Sequence, residues 1–378
     1  MSTVSPSPAD RPQDAPADPL DAAIAPPTVL AKPGQPAWVG IATAMVFPLF
    51  FVVMFSLCYV SAFHAPAPHN APLILIGQDA QTSAVRDGIQ KQAPNSFDIT
   101  TTTDSAEAIN DIKTRGAIGA IEIGRVITAY TASANGGSTS QTVQQVAASI
   151  ATQAKTTVVV KNLVPLASKD ITGTGLFYYL IICTIGGYLT VTVLAQVGAK
   201  IRLRAQYLTV LIASVLVPVI EFGIASIFVG TFGASVGTIF GLLAVGAFYT
   251  LTVGTISLLA NQIAGQASIF LVLTVAIFLN LPSAGGAIPY TFLPGFWQGL
   301  HSFWFGAGAM EAIRDVIYFN GTGMWPWLTH VAIWFVAALA LSVVLGVRRA
   351  PNAATPTEAL PNGADSQHRH GDHVAASA

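Results

Sequence analysis

The stretch Leu176–Val197, LFYYLIICTIGGYLTVTVLAQV, decides the fold because it contains no charged residue and is long enough to cross a bilayer. A hydrocarbon core about 30 Å thick needs roughly 20 apolar residues, since each helical residue rises about 1.5 Å. Five other stretches have the same character. The six predicted spans are Trp38–Val60, Leu176–Val197, Tyr207–Gly230, Ala234–Ala260, Ala264–Leu281 and Pro326–Val347. The sequence therefore predicts an α-helical polytopic membrane protein with six transmembrane helices.

The composition agrees with this class. Hydrophobic residues make up 52% of the chain and charged residues only 9%, whereas about a quarter of the residues in an average soluble domain are charged. The formal net charge of -1 gives no reason to expect nucleic acid as a partner. Membrane lipids are the partners that the composition predicts.

The spans divide the chain into five parts. Residues 1–36 and 348–378 are polar tails that we expect to be disordered, because they have too few large apolar residues to offset the entropy of ordering. Residues 37–60 form the first transmembrane helix, 61–175 a soluble domain with its linkers, and 176–347 a five-helix membrane domain. The sequence thus predicts one sizeable domain between the first and second spans.

The positions of basic residues predict the orientation, since Lys and Arg in short connections tend to stay in the cytoplasm. Lys200, Arg202 and Arg204 lie between the second and third predicted spans, and Arg348 and Arg349 follow the last one. Both sites are predicted to be cytoplasmic. With six spans across the plasma membrane, both termini are then predicted to be cytoplasmic and the domain to be external. A segment as long as this domain can be translocated regardless of its charges.

Within the domain, short apolar runs alternate with polar ones and predict a small α+β unit. Asp104 and Glu107 have the spacing of a capping box at a helix start, and Gly116 marks the end of that helix. The predicted elements are strands at 72–77, 97–101, 117–123 and 126–131, and helices at 82–92, from 104, and from 139 into the 150s. No residues in the domain form a recognisable nucleophile, acid-base pair or metal site.

Glu221 is the only acidic residue in a predicted span, and a charge at that depth costs about 2 to 3 kcal/mol or more unless it is solvated or paired. One interpretation is a substrate or proton pathway; the other is a contact between helices. Pro218, one turn earlier, removes a helical hydrogen bond and is predicted to kink the third span. Both residues are candidates for a transport pathway.

Three glycines recur every four residues at the start of the fourth predicted span, at Gly233, Gly237 and Gly241. Small residues at this spacing let helix backbones approach closely, so we predict a packing face. Dimerisation through the same face is the narrower alternative. Asn280, near the end of the fifth predicted span, is interpreted as structural.

The segment at 282–325 is dense in aromatic residues, which is typical of the lipid–water interface or of a re-entrant pair of short helices. Within it, residues 310–318 can form an amphipathic helix. Glu311, Arg314 and Asp315 lie three and four residues apart and can bond to one another along that helix. A solvated helix face and an extracellular gate are both open as explanations for these three residues.

The order of these parts, together with LPGFWQGLHSFWFGAGAMEAIRDVIYFNGTG at Leu293–Gly323, resembles the ABC type 2 exporter permeases. The similarity is to the branch with the phage-infection-protein-like membrane proteins and the fungal nitrosoguanidine-resistance relatives, and it covers the chain except for its tails. The resemblance implies a homodimeric or heterodimeric permease that exports a lipid, polysaccharide or hydrophobic compound.

The chain has no GxxxxGK[ST] phosphate-binding loop, so it is not expected to be an enzyme or to hold a cofactor, and ATP hydrolysis would require a separate ATP-binding subunit. Many such permeases contact the ATPase through an N-terminal amphipathic helix, which the proline-rich tail of this chain is not expected to form. Lys200, Arg202 and Arg204 are then the candidates for cytoplasmic coupling. Two alternatives stay open: a non-transporting scaffold or receptor that uses the external domain, and a proton-coupled exporter that uses Glu221.

Overall fold

The computed structural model describes residues 36–197 and 201–349, so Lys200 and nearly all of the two predicted tails lie outside the described residues. Five of the described helices are long and apolar enough to cross a membrane, as expected of a helical membrane protein. The helices are α1 Ala37–Phe55, α2 Asp79–Gln92, α3 Ser105–Lys113, α4 Gly137–Ala154, α5 Gly175–Val197, α6 Leu203–Val229, α7 Val236–Ala264, α8 Ser268–Val272, α9 Gly295–His301, α10 Phe305–Tyr318 and α11 Met324–Arg349. The strands are β1 Ala71–Ile76, β2 Phe97–Thr102, β3 Gly119–Glu122, β4 Ile127–Thr131 and β5 Val158–Asn162.

Two of the helices, α1 and the five-residue α8, continue beyond their α-helical bounds through π-helical turns. Helix α1 continues through Ser56–Val60 to Phe63, and α8 continues through Leu273–Phe278 to Ser283. Extra residues in a helical turn shift the side chains that follow around the helix axis. The aromatic rings of Phe50 and Phe278 pack edge to face at a centroid distance of 5.8 Å, so α1 and the extended α8 lie side by side.

The apolar helical segment Val236–Ser283 is a hairpin of two antiparallel helices. It reverses at Gly265, whose φ of +54° lies in the left-handed region that glycine adopts without strain. The Asn280 side-chain amide donates to the Tyr249 hydroxyl at 2.6 Å, although the two residues are 31 positions apart. In one straight helix they would be about 45 Å apart.

The two ends of the helical bundle differ in charge. The Tyr207 hydroxyl donates to Ser342 Oγ at 2.7 Å, which places the start of α6 beside the end of α11. Arg202, Arg204 and Arg348 therefore lie at this end. The domain lies at the other end, where the His69 amide donates to the Thr291 carbonyl. In the described ranges, Arg314 is the only Lys or Arg that lies after α6 and before α11.

The domain is built on a five-stranded mixed sheet in the order β2-β1-β3-β4-β5. Only β3 and β4 pair antiparallel. Helices α2 and α4 cover one face of the sheet, and α3 covers the other. Because helices lie on both faces and the crossovers join parallel strands, the domain is a three-layer α/β unit rather than the predicted α+β unit.

Most of the domain's predicted elements are present. The Asp104 side chain caps α3 by accepting hydrogen bonds from the amides of Ala106 and Glu107, as the spacing predicted. Glu107 does not complete the capping box, since it accepts instead from the Thr102 hydroxyl at 2.9 Å. The edge strand β5 was not predicted from the sequence. After Val158, all the residues of β5 are exposed. The strand therefore lacks the alternation of apolar and polar residues that marks a half-buried strand.

Within the chain, the predicted glycine packing face at Gly233, Gly237 and Gly241 is wrong for two of its three members, and dimerisation through it stays a prediction. Gly233 lies in the turn before α7, with a φ of +69°. A Cβ atom on Gly233 would meet nothing, and one on Gly237 only Ser235 Oγ at 3.9 Å. Only Gly241 is closely packed, with a Cβ distance of 3.0 Å to Val316 of α10. The periodicity failed because the helix begins three residues after Gly233.

Candidate functional site

Arg115 is a domain residue whose side chain reaches helix α10, and its backbone is strained. It follows the end of α3 with a φ of +67°, a conformation that usually belongs to glycine at the end of a helix. The Gly116 amide donates to the Asp111 carbonyl at 2.8 Å and closes the turn. A non-glycine residue in this region costs roughly 1 kcal/mol or more. The predicted helix stop at Gly116 is therefore confirmed, but the left-handed residue is Arg115.

Helix α10 presents the three charged residues that Arg115 meets. Glu311, Arg314 and Asp315 are only 0%, 5% and 1% exposed. The interpretation of these residues as a solvated helix face is wrong, because the α/β domain covers one side of α10 and helices α5, α7 and α11 pack against it. Sequence spacing cannot show this burial, since the covering residues are distant along the chain.

The four charged groups form one connected cluster, which we call the charge cluster: Arg115, Glu311, Arg314 and Asp315. Arg115 donates from Nη2 to Glu311 Oε2 and from Nη1 to Asp315 Oδ1, the latter at 2.7 Å. Arg314 donates from Nη1 to Glu311 Oε1 at 2.6 Å and from Nη2 to the Gly285 carbonyl at 2.9 Å. Two cations and two carboxylates balance, so the cluster buries no net charge.

The two carboxylates of the charge cluster differ in acidity. Burial alone would raise the pKa of Glu311, but the two guanidinium groups of Arg115 and Arg314 outweigh it and lower the pKa to about 2. Burial raises the pKa of Asp315 to about 6, because its single partner Arg115 does not offset desolvation and the nearby Glu311 charge adds to the shift. Asp315 is the group whose charge can change at mildly acidic pH.

His301 extends the charge cluster toward the helices. The imidazole is 1% exposed, and its Nδ1 lies 2.8 Å from the Ser283 carbonyl, so Nδ1 carries the proton and donates. Its Nε2 has no hydrogen-bond partner and lies 3.9 Å from Glu311 Oε1, beyond hydrogen-bond distance. Burial lowers the pKa of His301, which keeps the ring neutral at neutral pH.

Gly285 lets the backbone approach these side chains. Its φ is +73°, and a Cβ atom there would lie 3.1 Å from the His301 ring and 3.3 Å from Glu311 Oε1. A side chain at this position would meet both strain and crowding. The Gly285 carbonyl can therefore accept from Arg314 only because residue 285 is glycine.

A second polar cluster lies deeper among the helices, around the fully buried Tyr249. The Tyr249 hydroxyl is 2.7 Å from Thr184 Oγ1 and accepts from Asn280. Asn280 was predicted to have a structural role near the end of a span. Its side chain joins the continuation of α8 to α7 inside the bundle. Ser283 connects the two clusters, since its hydroxyl donates to the Asn280 carbonyl at 3.1 Å and its own carbonyl accepts from His301.

A cavity of about 140 Å³ adjoins the charge cluster between the domain and the helices. Arg115, Asn135 and Thr139 line it from the domain, and Arg314, Asp315, Tyr290 and Trp327 line it from the membrane region. Tyr290 also stacks on His301 with an interplanar angle of 7°. The cavity therefore gives the charge cluster polar surroundings on one side.

The structure keeps the other predicted site residues apart from this cluster. Glu221 and Pro218 lie in α6, where Pro218 is buried and Glu221 is half-buried. Glu221 makes no hydrogen bond or ion pair with any residue that the structure describes. Arg202 and Arg204 lie at the opposite end of the bundle, and the third coupling candidate, Lys200, is outside the described residues.

Two members of the site, Arg115 and His301, were missed from the sequence. The signal for Arg115 was weak: a basic residue directly before the glycine that ends a helix. Within the described ranges, no group of three or more His, Cys, Asp or Glu side chains is arranged to hold a metal ion. Comparisons with protein-family models, curated proteins and solved structures gave no match to this chain.

Proposed function

We propose that the chain is the permease subunit of an exporter for a lipid, polysaccharide or hydrophobic compound, driven by a separate ATP-binding subunit. The observation that carries this proposal is the buried charge cluster that joins the domain to the short helix α10. Ionisable residues buried among membrane helices are costly, and they commonly mark transport pathways. Helices that are interrupted at membrane depth are tolerated where they line a cavity or are covered by protein.

The proposed topology is six crossings of the plasma membrane. Its support is the reversal at Gly265, which divides the segment Val236–Ser283 into two antiparallel helices. Arg202, Arg204 and Arg348 lie at the end of the bundle opposite the domain, and basic residues favour the cytoplasmic side. The domain is then external and both termini are cytoplasmic.

In this arrangement the charge cluster couples the external domain to the membrane helices. Arg115 contacts two carboxylates that belong to α10, and α10 packs against α5, α7 and α11. A movement of α10 would have to carry the domain with it or break two buried ion pairs. Glu311, Arg314 and Asp315 are thus proposed to form the outer gate, with Arg115 as its contact in the domain.

The experiment that tests the ATP-driven proposal is co-purification from native membranes. We expect an ATP-binding subunit to co-purify with the chain and to be lost when Lys200, Arg202 and Arg204 are all changed to Glu. Arg348→Glu is the matched control, because it reverses a charge at the same end of the bundle. Unchanged association in the triple variant would remove these residues from the coupling surface, and no ATP-binding subunit in any preparation would contradict the proposal.

A proton-coupled exporter is the second candidate, and the lack of an ion-pair partner for Glu221 in the described part of the chain favours it. A carboxyl group without a fixed partner can take up and release a proton without breaking an ion pair. Flux in vesicles driven by a proton gradient, and lost in Glu221→Gln, would establish this mechanism. Tight binding of an external ligand without any flux would instead identify a receptor or scaffold.

A further inference from the structure

A groove of about 520 Å³ crosses the outer face of the domain between α2 and α4, away from the charge cluster. Its apolar lining comes from both helices and from the sheet beneath them. The main apolar residues are Val85, Ile89, Phe97, Ile127, Val146 and Ile150. The volume lies within the roughly 300 to 1,000 Å³ that is typical of small-molecule sites, which are also lined mainly by apolar side chains.

The polar residues at the groove are all uncharged. They are Gln81, Gln92, Ser149 and Gln153, and the lining includes no Asp, Glu, Lys or Arg. An ionised head group would lose hydration there without gaining an opposite charge. Amide and hydroxyl groups, by contrast, can exchange hydrogen bonds with a neutral polar group.

No residue of β1 lines the groove, but two of its lining residues, Phe97 and Ile123, adjoin the two ends of β1. Phe97 pairs in register with Ala71, the first residue of β1, close to where His69 contacts the membrane region. At the other end, the amide of Ile123 donates to the carbonyl of Ile76, the last residue of β1. Six strand residues span about 17 Å. The groove therefore runs from the bundle side of the domain to its distal side, and its length suits an extended alkyl chain.

We propose that this groove binds the alkyl chain of a neutral amphiphile, such as a long-chain alcohol or a lipid with an uncharged head group. This inference rests on the proposed export function, because it assigns the exported molecule to that class. The apolar floor holds the chain, and the glutamine side chains at the rim hold the head group. An anionic lipid or a fatty carboxylate fits the same floor but finds no cation in the lining.

Gly88 provides a variant that fills the groove without disturbing the fold. It lies inside α2 and lines the groove, and a Cβ atom on it would meet no other atom within 4 Å. Replacing a glycine inside a helix stabilises that helix by roughly 0.5 to 1 kcal/mol. Gly88→Leu is therefore expected to fold, so that a loss of binding reports on the groove. Gln90→Leu is the matched control, since it adds the same side chain on α2 at an exposed position outside the lining.

The test uses the full chain in lipid nanodiscs and a long-chain alcohol that carries a photoreactive diazirine, with labelled peptides mapped by mass spectrometry. We expect labelling on the α2 and α4 residues of the groove, competed by the unlabelled alcohol. Gly88→Leu should reduce it at least tenfold and Gln90→Leu should leave it unchanged. Equal labelling of Gly88→Leu and the native chain, or labelling confined to the membrane helices, would overturn the proposal.

A fatty-acid probe of the same length, used at pH 8, tests the head group. We expect it to label the groove at least fivefold less than the alcohol, and equal labelling would overturn the neutral-head assignment. These measurements need neither an energy source nor an ATP-binding subunit. Their failure would therefore remove the groove site, while the proposed export function would still be decided by co-purification.

Discussion

Two acidic residues in the membrane region, Glu311 and Glu221, have opposite surroundings. Glu311 is fully buried and accepts from two arginines, one of which belongs to the α/β domain. Glu221 is half-buried on α6 and has no hydrogen-bond or ion-pair partner among the described residues. A fully compensated buried carboxylate can stabilise the fold, so its loss is costly, whereas the loss of a carboxylate without a partner breaks no ion pair.

The largest effect is expected at Glu311, because it bridges both guanidinium groups. Glu311→Gln leaves Arg115 with Asp315 as its only carboxylate partner and leaves Arg314 with only a backbone carbonyl. Breaking a buried ion pair from one side costs about 3 to 5 kcal/mol. We expect a marked fall in Tm in detergent micelles. Asp87→Asn, which neutralises an exposed acidic residue of the domain, should change stability by less than about 0.5 kcal/mol.

Arg115 should give a somewhat smaller loss, since Glu311 keeps Arg314 when Arg115 is replaced. We expect Arg115→Met to destabilise the docked domain by about 3 kcal/mol. Arg115→Lys should retain part of that stability but lose the two-pronged contact with the carboxylates. A double-mutant cycle with Asp315→Asn should give a coupling energy of roughly 0.5 to 3 kcal/mol, and a value near zero would show that the ion pair does not form.

The raised pKa of Asp315 predicts a specific dependence of stability on pH. The unfolded carboxyl releases its proton near pH 4 and the folded one near pH 6, so the protonated form favours the folded state. This contribution is present at pH 4 and is lost as the pH rises to 6. We expect the Tm of the native chain, relative to Asp315→Asn, to fall across this window and level off above it. A parallel pH profile for both proteins would show that Asp315 does not titrate there.

The lowered pKa of Glu311 acts in the opposite direction. Its stabilising contribution is present above pH 4.5, the usual value for the unfolded residue, and is lost as the pH falls toward 2. The two carboxylates together predict that the domain docks most stably between about pH 4 and 5. Limited proteolysis of the linkers that flank the domain across this range measures docking independently of Tm.

The smallest effect on stability is expected at Glu221. Glu221→Gln breaks no ion pair or hydrogen bond in the described structure, so we expect a change below about 1 kcal/mol. Its effect on flux separates the two export mechanisms: proton-driven flux would be lost, and ATP-driven flux would be retained. A large fall in Tm in this variant would mean that Glu221 has a structural partner and would remove the contrast with Glu311.

The long helices and most of the domain were predictable because their signals are local. Apolar length marks α5 and α6, and the Asp104 cap marks α3. The charge cluster was not predictable, since Arg115 and Glu311 are 196 residues apart and the burial of α10 depends on the domain above it. The strand β5 was not predicted because an exposed edge strand shows little alternation of apolar and polar residues. The glycine periodicity gave a wrong prediction because it extends across a turn and the start of a helix.

The most direct test of the account is the accessibility of single cysteines to a membrane-impermeant maleimide in intact cells. The native residues Cys58 and Cys183 are buried, so they give little background. Ser83→Cys places a thiol on an exposed residue of the domain, and Gln266→Cys places one at the exposed turn after Gly265. The account predicts labelling at position 83 in intact cells and at position 266 only after permeabilisation. Labelling of position 266 from outside, or protection of position 83, would contradict it.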